Sequence, residues 1–132
     1  MSKKKFIGLW RITEMELWDS DFIDMDGPGY IRFQTDGMGE FHFGAVLGWT
    51  DCRFLKRDGK EAVEFSWEGS EESDIAYGRG WAFVDGDHLH GRLFFHQGDD
   101  SGFTAKRENV KINQAKNITS GSTRTRRKRR TG

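Results

Sequence analysis

From Phe6 to Glu108 the chain repeats one pattern eight times: a short run in which aromatic or aliphatic side chains alternate with polar ones, ended by a turn that mostly carries Gly or Asp. A period of two sends successive side chains to opposite faces, as a β-strand requires and a helix of 3.6 residues per turn does not. Strands joined by such short turns pair antiparallel with their sequence neighbours, and a sheet of eight removes its two open edges by closing on itself. The pattern therefore predicts an all-β protein, an eight-stranded antiparallel up-and-down barrel.

The strands are expected at residues 5–17, 29–34, 38–47, 49–56, 61–68, 75–84, 88–96 and 102–107, with Gly48 as a break or bulge between the third and fourth. Residues 18–28 interrupt the rhythm. Asp19, Asp21, Phe22, Ile23, Asp24 and Met25, followed by Gly27 and Pro28, suit a short irregular or one-turn helical lid. The 132 residues support one domain, and the eleven Phe and five Trp fall within its first 108 residues. Aromatic rings that each remove roughly 150 to 250 Å² from water build the core, although hydrophobic residues make up only 35% of the chain.

Charge divides the chain in two. Residues 1–107 carry 13 Lys and Arg against 20 Asp and Glu, a net of −7, whereas residues 108–132 carry 8 against 1, a net of +7. The division expected is a barrel domain at 1–108 and a disordered basic tail at 109–132. That tail has no aromatic residue and ends in Arg124, Arg126, Arg127, Lys128, Arg129 and Arg130. Such a run binds phosphate backbones weakly and without sequence preference, or folds back on an acidic body. The single Cys52 makes no internal disulfide, and Lys3 to Lys5 are followed by no long apolar stretch, so a reducing cytoplasm is the expected location and no membrane contact is expected.

Parity sorts the side chains of strands four to seven into two faces. Cys52 and Phe54, then Val63, Phe65 and Trp67, then Gly78, Gly80 and Ala82, then Leu93 and Phe95 make a dry face, on which large rings lie over bare glycine backbone. The opposite parity collects Asp51 and Arg53, Glu64, Ser66 and Glu68, Tyr77, Arg79 and Trp81, and Arg92, Phe94 and His96. This polar, aromatic-studded face has two readings. It is a solvated outer surface with cross-strand ion pairs, or it is a ligand-binding surface formed by Asp51, Arg53, Glu64, Glu68, Tyr77, Arg79, Trp81 and His96. On the second reading Glu64, Arg79 and His96 converge, with Arg79 at the centre.

Spacing assigns no catalytic residue. Glu64 and Glu68 lie four apart on a strand, about 13 Å, too far for a paired-carboxylate hydrolase. His88 and His90 share a face without an evident third metal ligand, and His42 stands apart on another strand as a surface residue. No Ser-His-Asp set, nucleophilic Cys motif or phosphate-cradling glycine loop appears, and no metal or cofactor is called for.

Gly8-Leu9-Trp10 on the first strand, with Arg107 on the last, resembles the Gly-X-Trp and closing arginine of the lipocalin and fatty-acid-binding (calycin) barrels. That resemblance implies an arginine lying over the tryptophan at the closed end. The blocks Phe41 to Gly44, Glu64 to Gly69, Gly78 to Ala82 and Phe95 to Ser101 are similar to those of a group of short uncharacterised bacterial proteins. This second resemblance implies a stand-alone bacterial domain and supplies no catalytic residue. The function expected is a non-enzymatic module that binds a small molecule or peptide; the alternative is a nucleic-acid-associated or scaffold protein working through its basic tail.

Overall fold

In a computed structural model, which describes residues 3–108, eight strands close into one antiparallel barrel in sequence order. They are β1 (Gly8–Met15), β2 (Tyr30–Phe33), β3 (Met38–Phe43), β4 (Val46–Arg57), β5 (Lys60–Glu71), β6 (Asp74–Asp85), β7 (His88–Phe95) and β8 (Asp100–Arg107). Every strand pairs with its sequence neighbours, and β1 returns to β8 with Trp10 opposite Arg107. A bulge between Ile12 and Glu14 re-registers that last seam. The basic run of residues 124–130, with the rest of the expected tail, lies outside the described residues.

Two sequence expectations are corrected. The first strand is shorter than residues 5–17, because Lys3–Lys5 form a single 3-10 turn and the chain leaves the sheet after Met15. Gly48 is no break: it sits inside β4, and a Cβ there would lie 2.5 Å from the Phe41 ring and 2.9 Å from that of Trp67. The turn from β3 to β4 is instead made at Gly44, whose φ of +57° needs a glycine and whose missing side chain leaves room for the Phe22 ring. Residues 18–28 do hold one helical turn, α1 (Ser20–Ile23), capped by Asp19 accepting from the Phe22 N–H at 3.0 Å. Asp24 then ties this segment to the barrel, accepting from the Gly29 N–H and from Arg11, each at 2.9 Å.

The interior is packed with rings. Phe6, Trp10, Phe33, Phe41, Phe43, Phe65 and Trp67 are all buried, interleaved with Ile12, Met15, Ile31, Val46, Val63, Leu89, Leu93 and Phe103. Phe41–Trp67 (5.0 Å between centroids, 78°) and Phe6–Phe33 (6.3 Å, 88°) meet edge-on, whereas Phe41 and Phe43 stack (6.1 Å, 23°). Gly80 accommodates Phe65 directly: a Cβ there would lie 2.5 Å from that ring. Between Ile12, Met15, Ile31, Phe41, Phe43, Leu93 and Phe103 remains a void of about 10 Å³. That is at the lower limit for a single water, and its lining is apolar.

The two ends differ in how they are finished. At one, Trp10 is fully buried, donates to the Phe6 carbonyl at 2.9 Å, and is covered by the Arg107 guanidinium 4.1 Å from its ring centroid. Arg107 also donates to the carbonyls of Ile7 and Lys5, and Gly8, at φ +124°, leaves the space the guanidinium occupies. This is the closed end. The other end, capped by Trp18 and α1, is the open end. Among the described residues no helix is long and apolar enough to cross a membrane.

Candidate functional site

Because β6 runs 12 residues and β7 only 8, β6 extends past the end of β7 at the open end, while on its other side β5 stays paired with β4 as far as Val46 and Glu71. The register shows by how much. Gly78 pairs with Phe95, the last residue of β7, so Asp74 to Tyr77 have β5 on one side and no paired strand on the other. The His96 N–H still donates to the Tyr77 carbonyl at 2.8 Å, after which the chain turns back through Gln97 to Asp99. Tyr77 and His96 thereby meet face to face, with centroids 4.8 Å apart and planes 21° apart.

Two adjoining clefts share this stacked pair. The first, about 270 Å³, lies on the rim between Trp18, Ile75, Ala76 and Phe95, with Glu71 and Asp99 at its edge. The second, about 240 Å³, lies on the outer face between Tyr77, Arg79, Phe94 and Gln97. Trp18 forms the inner wall of the rim. It stacks on Phe22 (5.8 Å, 24°) and meets Phe43 at 5.2 Å and Phe95 at 6.3 Å, so the lid is held by rings. Arg79 lies over Phe94 with its guanidinium 4.9 Å from the ring centroid. Ile75 is 86% exposed and Tyr77 50%; Trp18, Ala76, Phe94 and Phe95 are half-buried, whereas Glu71, Arg79, His96 and Asp99 are exposed.

The eight sequence-predicted site residues all lie on the outer face of β4 to β7 or just beyond it, but they form two groups. Tyr77, Arg79 and His96 gather at the clefts. Glu64 does not join them: it opposes Trp81, not Arg79, and its carboxylate lies 3.5 Å from Arg57 on the β4 side while Arg79 turns to Phe94 on the β7 side. The expected convergence of Glu64, Arg79 and His96 is therefore absent, because each side chain has found a neighbour on its own strand pair. Asp51 and Arg53 pair with each other at 2.7 Å in the open. Trp81 stacks parallel to Phe83 (6.2 Å, 10°) under the Arg57 guanidinium, and Glu68 stands exposed opposite Tyr77.

Sequence reasoning missed Trp18, Ile75, Phe95 and Asp99 as lining residues. Parity places Phe95 on the dry face, and at the rim that inward direction leads into the cleft. His42, expected as an isolated surface residue, is half-buried beside Tyr30 (6.3 Å), and burial holds its imidazole below the ordinary value. Tyr30 donates to Glu40 at 3.0 Å, and burial together with that carboxylate pushes the phenol up. Cys52 is buried beside Thr50, and its thiol is pushed up by desolvation, which disfavours the reactive thiolate.

A third cleft, about 500 Å³, opens at the closed end beside Lys5, Lys56, Lys60 and Phe83. Two of its lysines are engaged, Lys5 with Glu61 at 3.2 Å and Lys60 over the Phe83 ring at 4.9 Å. His88 and His90 stack on each other at 6.2 Å, and among the described residues no three His, Cys, Asp or Glu are grouped to hold a metal ion. Compared with family models, curated proteins and solved structures, the chain matches none.

Proposed function

We propose that this chain is a non-enzymatic binding module that takes a small polar molecule or a short peptide at the open end of its barrel. The observation that carries this reading is the pair of clefts sharing Tyr77 and His96, set against an interior whose void is about 10 Å³. Where the described interior is filled with rings, recognition falls to the outside. There, an aromatic stack, a guanidinium held over a ring and exposed carboxylates provide both apolar contact and hydrogen-bonding partners. We further propose a calycin-like kinship, supported by Arg107 over Trp10 with Gly8 making room, and a place in the bacterial cytoplasm, supported by a lone buried thiol. The domain division at 108/109 belongs to the same reading.

A thermal-shift screen of polar small molecules and short peptides tests it, run in parallel on the wild type and on Arg79→Leu. Ligands that raise the Tm of the wild type and lose their effect on the variant support a site at Arg79. If no compound stabilises the wild type, or if the hits act equally on both forms, the reading fails.

Arg124, Arg126, Arg127, Lys128, Arg129 and Arg130 favour a second reading, a nucleic-acid-associated or scaffold protein working through residues 109–132. Phosphate binding by such a run falls steeply with added salt and ignores base sequence. Removing residues 109–132 separates the two readings, since the barrel site survives that deletion and tail-borne binding does not.

A further inference from the structure

The unpaired edge of β6 has a geometry of its own. In an antiparallel ladder the N–H and C=O of one residue point to the same side, and alternate residues repeat the direction. The Tyr77 carbonyl points toward β7, where it accepts from His96. Ile75, two residues earlier, therefore presents its N–H and C=O on that side, beyond the end of the β7 ladder. An exposed edge of this kind is a template for one more extended segment, which gains main-chain hydrogen bonds from the edge and specificity from neighbouring side-chain pockets. The rim cleft between Trp18, Ala76 and Phe95 is such a pocket.

Charge restricts the occupant. Glu71 stands directly opposite Asp74 in the hairpin register, a like-charge pair that destabilises the hairpin until a cation is brought near. Glu72 lies in the turn between them and Asp99 across the cleft. Among the described residues none of these four carboxylates has an ion pair, whereas Asp100, further along, is bridged by Arg92 at 3.1 Å. The edge thus calls for an extended segment rich in arginine, whose planar cations also stack on Tyr77.

We propose that residues 124–130 of this same chain are that segment, and that they add to the β6 edge at Ile75 in cis; this rests on the reading of the open end as the binding surface. Reach permits it. The described chain leaves β8 at the closed end, and the 16 residues from Asn109 to Arg124 span up to roughly 53 Å when extended. The 12-residue strands measure about 40 Å along their length, and less along the barrel axis because they tilt. The net charges of −7 on residues 1–107 and +7 on residues 108–132 match in size. A short edge holds a separate peptide only weakly, but a tethered one is present at an effective concentration of the order of millimolar. The consequence is competition, because an outside ligand for this rim must displace the tail.

The test uses full-length protein, wild type against a variant in which all six basic residues of 124–130 are replaced by Gln. Hydrogen exchange and amide and indole shifts are read by NMR. The expected result is exchange of the Ile75 amide about five-fold or more faster in the variant, since pairing to the tail protects it in the wild type. Shift changes should be confined to Trp18, Ile75, Tyr77 and His96, be unchanged on ten-fold dilution, and be reproduced in the wild type by about 0.5 M NaCl. A second variant, Glu71→Gln with Asp74→Asn, should lose the same protection while its Trp10 indole signal stays in place. Equal exchange in wild type and both variants overturns the inference, as does protection that disappears on dilution, which would assign the segment to a second copy. A screening hit that shifts the Tyr77 and Trp18 signals while the tail variant leaves them unmoved also overturns it, yet leaves the binding-surface reading standing.

Discussion

Each end of the barrel is built around a tryptophan, and the two tryptophans are used differently. Trp10 is sealed: its indole N–H donates to Phe6, a guanidinium covers its ring, and Arg107 spends further donors on the carbonyls of Lys5 and Ile7. Trp18 is half-buried under a single turn of helix, with one face on Phe22 and an edge toward an open cleft. At the closed end the Trp10 indole N–H and both terminal guanidinium nitrogens of Arg107 find acceptors within the molecule. At the open end β6 runs past the end of β7, Ile75 faces solvent, and carboxylates oppose one another. A surface left in that condition costs stability, and this contrast separates the part of the barrel that holds the fold from the part available for recognition.

The largest expected effect falls on the closed end. Trp10→Ala should leave a cavity that the surrounding rings cannot fill and lower stability by about 3 to 5 kcal/mol, read as a shift in the urea midpoint. A loss under about 1 kcal/mol would break the contrast, since it would make the plug no more important than the rim. Next, Arg107→Met keeps the stem over the indole and removes the cation and its donors. It should cost about 1 to 2 kcal/mol and make the variant's stability less sensitive to salt than the wild type's.

A smaller effect is reached by pH through His42, whose backbone carbonyl lies near Gly29 where the lid rejoins the sheet. Its folded pKa is lowered from 6.5 by burial, so the unfolded chain takes up the proton first as pH falls. The stability it contributes is complete above about pH 6.5 and declines as pH drops from there through the lower folded value. His42→Gln should flatten the fall in Tm between about pH 7 and pH 5; an identical slope in wild type and variant would remove His42 as its source. Smallest of all, Tyr77→Ala should change stability by under roughly 0.5 kcal/mol, because the ring stacks on the exposed His96 and supports no core residue. A larger loss by the same urea measurement would show that the rim, too, is part of what holds the fold.

The faces of the strands were legible from parity alone, because a period of two has no other structural meaning. Cys52, Val63, Phe65, Trp67, Ala82 and Leu93 all turned inward as that parity required. Gly48 was misread for a physical reason. A glycine at a turn and a glycine beneath two rings look alike in one dimension, and only the positions of Phe41 and Trp67 distinguish them. The candidate site was half legible. Tyr77, Arg79 and His96 were singled out from the polar parity, whereas Trp18 and Asp99 come from a lid and a turn that parity does not govern.

Alternation along the chain by itself determined that this protein is a barrel, which face of β4 to β7 turns inward and that its ends are joined β1 to β8, since burying one face of eight short strands leaves few other solutions. What only the tertiary structure decided is where the ladder stops. Strand lengths differ by four residues between β6 and β7, and that mismatch leaves Asp74 to Tyr77 without a paired strand on the β7 side and brings the Tyr77 ring onto His96. Local pattern specifies the direction of a side chain, but the end of a pairing depends on two strands at once. The working surface proposed for this protein therefore lies where the regular pattern runs out.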